Sequence, residues 1–161
     1  MKSIAAFLFL FLVVPAPVVA QTAEEQIVGA AEALFGAMER KDETAIRDVM
    51  LPNARLVAVS SNEWGTSTTW TNVDEFVDAI IHRNEDLLER LWNPDVRIDG
   101  EIATLWVDYD FHRDGQFSHC GVDAFHMVRT SGAWKIAHIT YNRRLEGCYS
   151  PLTPPAGRRR P

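Results

Sequence analysis

With 161 residues and a formal net charge of −6, the chain amounts to one domain with enough apolar content for a real core. The acidic balance excludes the basic footprint of a nucleic-acid binder, because the dense cationic run Arg158, Arg159, Arg160 sits alone in a Pro-rich tail.

Residues 1–20 stand apart from that core. Lys2 is followed by the apolar run Ile4–Val14, then Pro15, Pro17 and the small exit Val18, Val19, Ala20. A basic start, an apolar stretch of about a dozen residues and small residues at the exit describe a secretory signal peptide. The stretch falls short of the ~20 apolar residues of a membrane span, and no cysteine follows it to carry a lipid. The expectation is an exported protein, periplasmic or secreted, with a mature domain over 21–148, a disordered Pro/Arg-rich tail over 149–161 and no membrane contact after cleavage. An oxidising destination makes Cys120 and Cys148 candidates for a disulfide, if the chain folds back around Gly147. Two free or intermolecular thiols are the alternative.

Thr22 through Lys41 reads as an amphipathic helix, opened by a Thr22/Glu25 capping box, with Ile27, Ala31, Leu34, Phe35 and Met38 at helical spacing. Asp42 caps a short second helix stopped by Pro52. Arg55–Ser60 reads as a strand, and Ser61–Trp70 as a loop or ragged hairpin. Thr71, with Asp74 three residues on, caps a third helix carrying Val73, Phe76, Val77, Ile80 and Ile81. Leu87–Ile98 is a strand interrupted at Asn93-Pro94, where proline points to a bulge or an edge. Asp99-Gly100 turns into a meander of three strands over Ile102–Arg144, joined at Asp114-Gly115 and Ser131-Gly132. This order gives an α+β plan: a curved antiparallel sheet with about three helices on one face, a cone enclosing a ligand pocket.

Several segments resemble the NTF2-like superfamily, specifically its small SnoaL-like and lumazine-binding-type bacterial members. They are Lys41–Ile46, Asp99–Ala103, Asp114–Phe125 and Gly132–Ile136. The resemblance covers about Ala23 to Cys148. It implies the cone fold, and a function drawn from isomerases, dehydratases, polyketide cyclases or non-catalytic binding proteins. It also implies a homodimer formed through the outer sheet face.

Two-residue turns fix a register in which side chains alternate faces. One face is then apolar: Leu105, Val107, Tyr109 and Phe111 beside Cys120, Val122 and Ala124, then Ala137, Ile139 and Tyr141, a core or a dimer contact. The other grades from Ile102, Met127, Ile136 and Trp134 to polar groups. Its candidate ligand-binding residues are Trp106, Asp108, Asp123, Phe125, His138, Thr140, Asn142 and Arg144, with Trp106 and Phe125 as walls. Asp123, set between Trp106 and Phe125, is expected to have a raised pKa and to donate a hydrogen bond as a neutral acid. The resemblance brings it onto the neutral aspartic acid of the ketosteroid isomerases. Their first-helix tyrosine falls near Leu34 and their general-base aspartate near Ala58, so the rest of that site does not carry over.

Asp110 and His119, opposed across the hairpin, form either a general-base pair or, with Arg144, an ordinary cross-strand charge cluster. His112, His119, Asp108 and Asp110 could cluster near one strand end, but there is no H-E-x-x-H and the cysteines are not in metal-like spacing, so neither metal nor cofactor is expected. The leading expectation is a small-molecule-binding protein. A second is a cofactor-independent enzyme with His119, Asp110 and Asp123 as catalytic residues, doing proton transfer, dehydration or cyclisation. A third is a dimeric assembly module with a vestigial pocket.

Overall fold

The computed structural model describes residues 20–150. All of the predicted signal peptide except Ala20, and the predicted tail beyond Ser150, lie outside the described residues. Helix α1 (Ala23–Arg40) starts where the Thr22/Glu25 box places it and ends at Lys41, whose φ of 55° is left-handed. Helix α2 (Glu43–Val49) is capped by the Asp42 carboxylate. Strand β1 (Met50–Asn62) begins earlier than the predicted strand, and β2 (Gly65–Asn72) shows the polar stretch after it to be a hairpin arm. Helix α3 (Val73–Ile81) is capped by Asn72 with Glu75, one residue beyond the predicted Thr71/Asp74 pair. Asn72 is at once the last residue of the β1–β2 ladder, opposite Arg55, and the cap, so strand and helix meet at one position.

The remaining strands are β3 (Leu87–Asp99), β4 (Ile102–Arg113), β5 (Gln116–Thr130) and β6 (Ala133–Arg143). The sheet order is β2-β1-β6-β5-β4-β3. Helices and sheet together make an α+β fold, but the expected antiparallel cone enclosing a pocket is not what forms. The sheet is mixed, because β1 runs parallel to β6. It is also open, with β2 and β3 as unpaired edges, rather than closed or strongly curled. Hairpin turns reveal which consecutive strands pair, but not where β1 joins the meander or how far the sheet bends.

The turns behave as read: Asp114 and Gly115 have φ of 50° and 73°, Ser131 and Gly132 of 51° and 80°. Between them the register does not hold. Beyond the first turn His112 faces Phe117, yet Phe111 faces His119, so Ser118 is an extra residue on β5. Near the second turn Met127 faces Ile136, yet His126 faces His138, leaving Ala137 extra on β6. Each bulge shifts the alternation by one and turns the following side chains over. As a result Gly121, Asp123, Phe125 and Met127 share a face with Tyr109, Val107, Leu105 and Ala103. That face carries the helices and the core, in which Phe125, Leu105, Met127 and Ile136 are almost fully buried. Each such side chain contributes about 1.5–3 kcal/mol by leaving water.

Candidate functional site

The first bulge divides the residues that the sequence reading grouped. Trp106, Asp108, His138, Thr140 and Asn142 stay with the outer face, where Trp106 pairs with Ala124 and Asp108 with Val122. Trp106 is 58% exposed. Asp108 accepts from the Asn93 amide at 3.1 Å, and His138 Nε2 lies 2.9 Å from Thr140 Oγ1. Arg144 is exposed at the strand end, its backbone paired with Cys120. Asp123, Phe125 and His119 go to the helix side, and Phe125 is core rather than a wall, its ring 6.2 Å from that of Phe35.

The proposed Asp110–His119 pair does not form, because Asp110 sits opposite Cys120 and His119 opposite Phe111. Asp110 instead accepts two charge-assisted hydrogen bonds from Arg90, Nε to Oδ1 at 2.8 Å and Nη2 to Oδ2 at 2.6 Å. His112 Nδ1 stands 3.5 Å from the same carboxylate. Burial first, then Arg90, holds the His112 pKa below its ordinary value against the pull of Asp110. Nearby, Cys120 and Cys148 are joined as a disulfide, which fastens the chain after β6 against β5. No group of three or more His, Cys, Asp or Glu side chains among the described residues could hold a metal ion.

On the helix side, the sheet end nearest the β4–β5 turn and helix α3 leave a cleft of about 270 Å³. Phe76 and Ile80 of α3 form one wall. Glu89, Tyr109, Phe111, His119 and Tyr141 line the sheet side, and Arg83, Arg113 and Arg143 also border the cleft. Asp123 lies between Val107 and Tyr141 across the sheet. It is 3% exposed, and its Oδ2 has no hydrogen-bond partner.

Gly121 makes the strand geometry possible. A Cβ there would lie 2.0 Å from the Asn142 carbonyl oxygen. That carbonyl accepts from the Tyr109 hydroxyl at 2.8 Å, while the Asn142 side chain accepts from Val122 N at 2.8 Å. Asn142 therefore contributes through its backbone acceptor and a sheet-binding amide, not as the ligand contact expected of it.

The electrostatics follow from burial. Asp123 has a pKa well above the ordinary carboxyl value because it is desolvated. Glu89 is raised by its own desolvation and then by Asp123, with Arg143 opposing. Each carboxyl thus disfavours ionisation of the other. Tyr109 is pushed up by burial and by the two acids. His119 falls to about 4, through burial and then Arg143 and Arg113, so its imidazole is neutral at ordinary pH. Its Nδ1 is 3.1 Å from Ser118 Oγ, and its ring centroid is 5.0 Å from that of Phe111. The arrangement offers neutral acids as donors, a neutral imidazole and an aromatic lining.

Glu89, Tyr109, Arg113 and Arg143 were missed from sequence. Glu89 did carry a signal, since Leu87, Glu89 and Leu91 alternate onto one face and a carboxyl among leucines marks an inward acid. Tyr109 was visible but read as apolar filling.

Residues 27–141 match the model of the SnoaL-like domain. No curated protein matches the chain. Among solved structures, an NTF-2 like protein of unknown function from Silicibacter pomeroyi is 20% identical, with 74% of this chain and 93% of that chain covered and a TM-score of 0.56. A candidate dehydratase of the NTF2-like family from Streptomyces avermitilis is 18% identical, covering 76% and 96%, with a TM-score of 0.59. The beta subunit of a candidate aromatic-ring-hydroxylating dioxygenase from Novosphingobium aromaticivorans is 9% identical, covering 83% and 97%, with a TM-score of 0.65. At these identities the likeness is one of fold.

Proposed function

The chain belongs to the SnoaL-like domain family, and from that premise we propose that its helix-side cleft binds a small, partly apolar molecule carrying a carbonyl or similar acceptor. The carrying observation is Asp123, a buried carboxyl whose Oδ2 lacks a partner. An unmade hydrogen bond of this kind costs about 1–3 kcal/mol, and a ligand acceptor reaching the neutral acid would recover it. Glu89 supplies a second neutral donor, and Phe76, Phe111 and Tyr141 supply the apolar surroundings. A lumazine-type ring, with its carbonyl acceptors, is one body of this chemistry. The Lys2–Ala20 stretch and the Cys120–Cys148 bridge support an exported protein. Exposed Trp106, Trp70 and Ile102 support pairing of two copies through the sheet.

Native mass spectrometry of the protein recovered from its own export compartment tests this reading. A small molecule released on denaturation is expected from the natural protein and lost from a folded Asp123→Leu variant. Equal retention by that variant would refute the role of Asp123.

The two mutually opposed carboxyls favour one further reading, acid–base turnover without a cofactor, in keeping with the candidate dehydratase of like fold. In this reading one carboxyl of the pair is ionised and takes the substrate proton while the other, held protonated by its neighbour's charge, gives its own to the leaving group, with His119 as hydrogen-bond partner. Asp123→Asn separates the readings, because the amide keeps a donor but cannot release a proton. Binding retained with turnover abolished indicates an enzyme.

A further inference from the structure

Three guanidinium groups reach the cleft from three separate elements: Arg83 just beyond α3, Arg113 at the end of β4 and Arg143 at the end of β6. In a chain of net charge −6, such a gathering of cations is out of keeping with the whole.

Their own partners leave that charge largely uncompensated. Arg143 Nη2 donates to the Tyr141 hydroxyl at 3.0 Å, and its guanidinium carbon sits 5.3 Å from the Tyr141 ring centroid. Arg83 Nε donates to the Ala79 carbonyl at 3.2 Å. Arg113 Nε and Nη2 donate to Ser118 Oγ at 3.2 and 3.0 Å, and its Nη1 is 3.7 Å from the Glu85 carboxylate. Among the described residues neither Arg83 nor Arg143 has a carboxylate within ion-pair distance. The acids that could balance them from within, Glu89 and Asp123, are the ones that burial keeps protonated.

We propose that the ligand of this cleft is a small carboxylic acid bound as its anion. Arg143 and Arg113 meet the carboxylate at the rim, and an acceptor at the far end of an apolar body reaches Glu89 and Asp123. This rests on the cleft being the binding site, as proposed above, and adds the charge class of the occupant. The chemistry is asymmetric. A guanidinium fork matches a carboxylate with two parallel N–H donors, and Arg143 is already oriented by Tyr141. A cationic ligand would have to pass three like charges and ionise half-buried Glu89 or buried Asp123 to find a counter-charge within the cleft. A neutral ligand would leave Arg83 and Arg143 without an anion, Arg113 alone having Glu85.

The test is a matched set of probes of one shape, each carrying a para-acetyl group as the far-end acceptor: the substituted cinnamate, its methyl ester and the cinnamylamine. Each is titrated into the full mature protein and followed by amide and side-chain shifts of Phe111, His119 and Tyr141. Cinnamate is expected to bind at least ten-fold tighter than the ester and tighter still than the amine. That preference should shrink as salt rises. Arg143→Met should bring cinnamate and ester to within about two-fold. Arg83→Met, on a different element, should reduce the preference less, and Arg143→Lys should restore part of it. Binding of all three with the ester or amine preferred, or a preference unmoved in Arg143→Met and Arg83→Met alike, overturns the anion assignment and leaves the cleft reading standing. Failure of all three to shift any cleft residue overturns both.

Discussion

Two aspartates on neighbouring strands are almost equally buried, Asp110 at 2% and Asp123 at 3% exposure, and the fold treats them in opposite ways. On the outer face Asp110 meets the Arg90 fork in a bidentate pair. On the helix side Asp123 has only Glu89 as a charged companion of like kind, and stays neutral. Burial alone therefore does not decide what a carboxyl does. The partner matters as well: the guanidinium fork makes Asp110 an anchor, whereas Asp123, desolvated without such a fork, is a proton held in reserve.

The sharpest way to break this comparison is to remove one acid at a time. Asp110→Leu leaves Arg90 partly buried without its counter-charge and is expected to cost about 3–5 kcal/mol. Urea unfolding should show Asp110→Leu combined with Arg90→Met to be less damaging than Asp110→Leu alone. Next comes Gly121→Ala, which drives a methyl into the Asn142 carbonyl. A loss of about 2–3 kcal/mol is expected for this overpacking, together with a disturbed Tyr109 resonance in NMR. A tolerated Gly121→Ala would mean that the Asn142 backbone is free to move.

Asp123→Asn should go the other way, unchanged or up to about 1 kcal/mol more stable near neutral pH, since the replaced acid is unpartnered. The sign follows from its raised pKa. Above the ordinary carboxyl values of 3.8 and 4.5, the unfolded chain releases protons that the folded chain keeps. Stability from Asp123 and Glu89 is then full at low pH and falls as pH rises. The gain from Asp123→Asn should therefore shrink as unfolding is measured at progressively lower pH.

The smallest effect concerns His119, whose pKa lies near 4 instead of 6.5. Here the unfolded state takes up the proton first, so stability is lost as pH falls from 6.5 towards 4. His119→Gln should flatten that limb. NMR titration of the imidazole reads the same quantity directly, and a midpoint near 6.5 would remove His119 from the shielded cleft.

How much of this was legible in the residues can be argued from β5. The turns at Asp114-Gly115 and Ser131-Gly132 were readable because positive φ demands particular residues. The helix starts were readable because caps are local chemistry, and Thr22 with Glu25 needs nothing distant. The direction of the Asp123 shift was anticipated too, though of the two apolar neighbours assigned to it only Phe125 shares its face, Trp106 lying on the other. Ser118 and Ala137 were not legible as bulges. Nothing in either residue distinguishes an inserted position from an ordinary strand position, and the choice is made by which face of β5 packs against α1. The openness of the sheet and the parallel entry of β1 depend on contacts far apart in sequence, where a hairpin signal has no counterpart.

The pair of bulges works as an inverter of phase. Ser118 turns β5 over relative to β4, and Ala137 turns the far half of β6 back, so Ile139 and Tyr141 regain the alternation that the turns alone would set. The inverted stretch between them carries Gly121, Asp123 and Phe125, which places a buried acid and a core ring under the control of two unremarkable side chains. Deleting Ser118 would close the bulge and leave Asp123 opposite Val107, whereas a strand that kept Ser118 as an ordinary position would set Asp123 opposite Trp106 on the outer surface and bring Ala124 inward. One uncounted strand position thus decides whether this stretch presents a polar helix-side face or a blank one, while every residue stays in the chain.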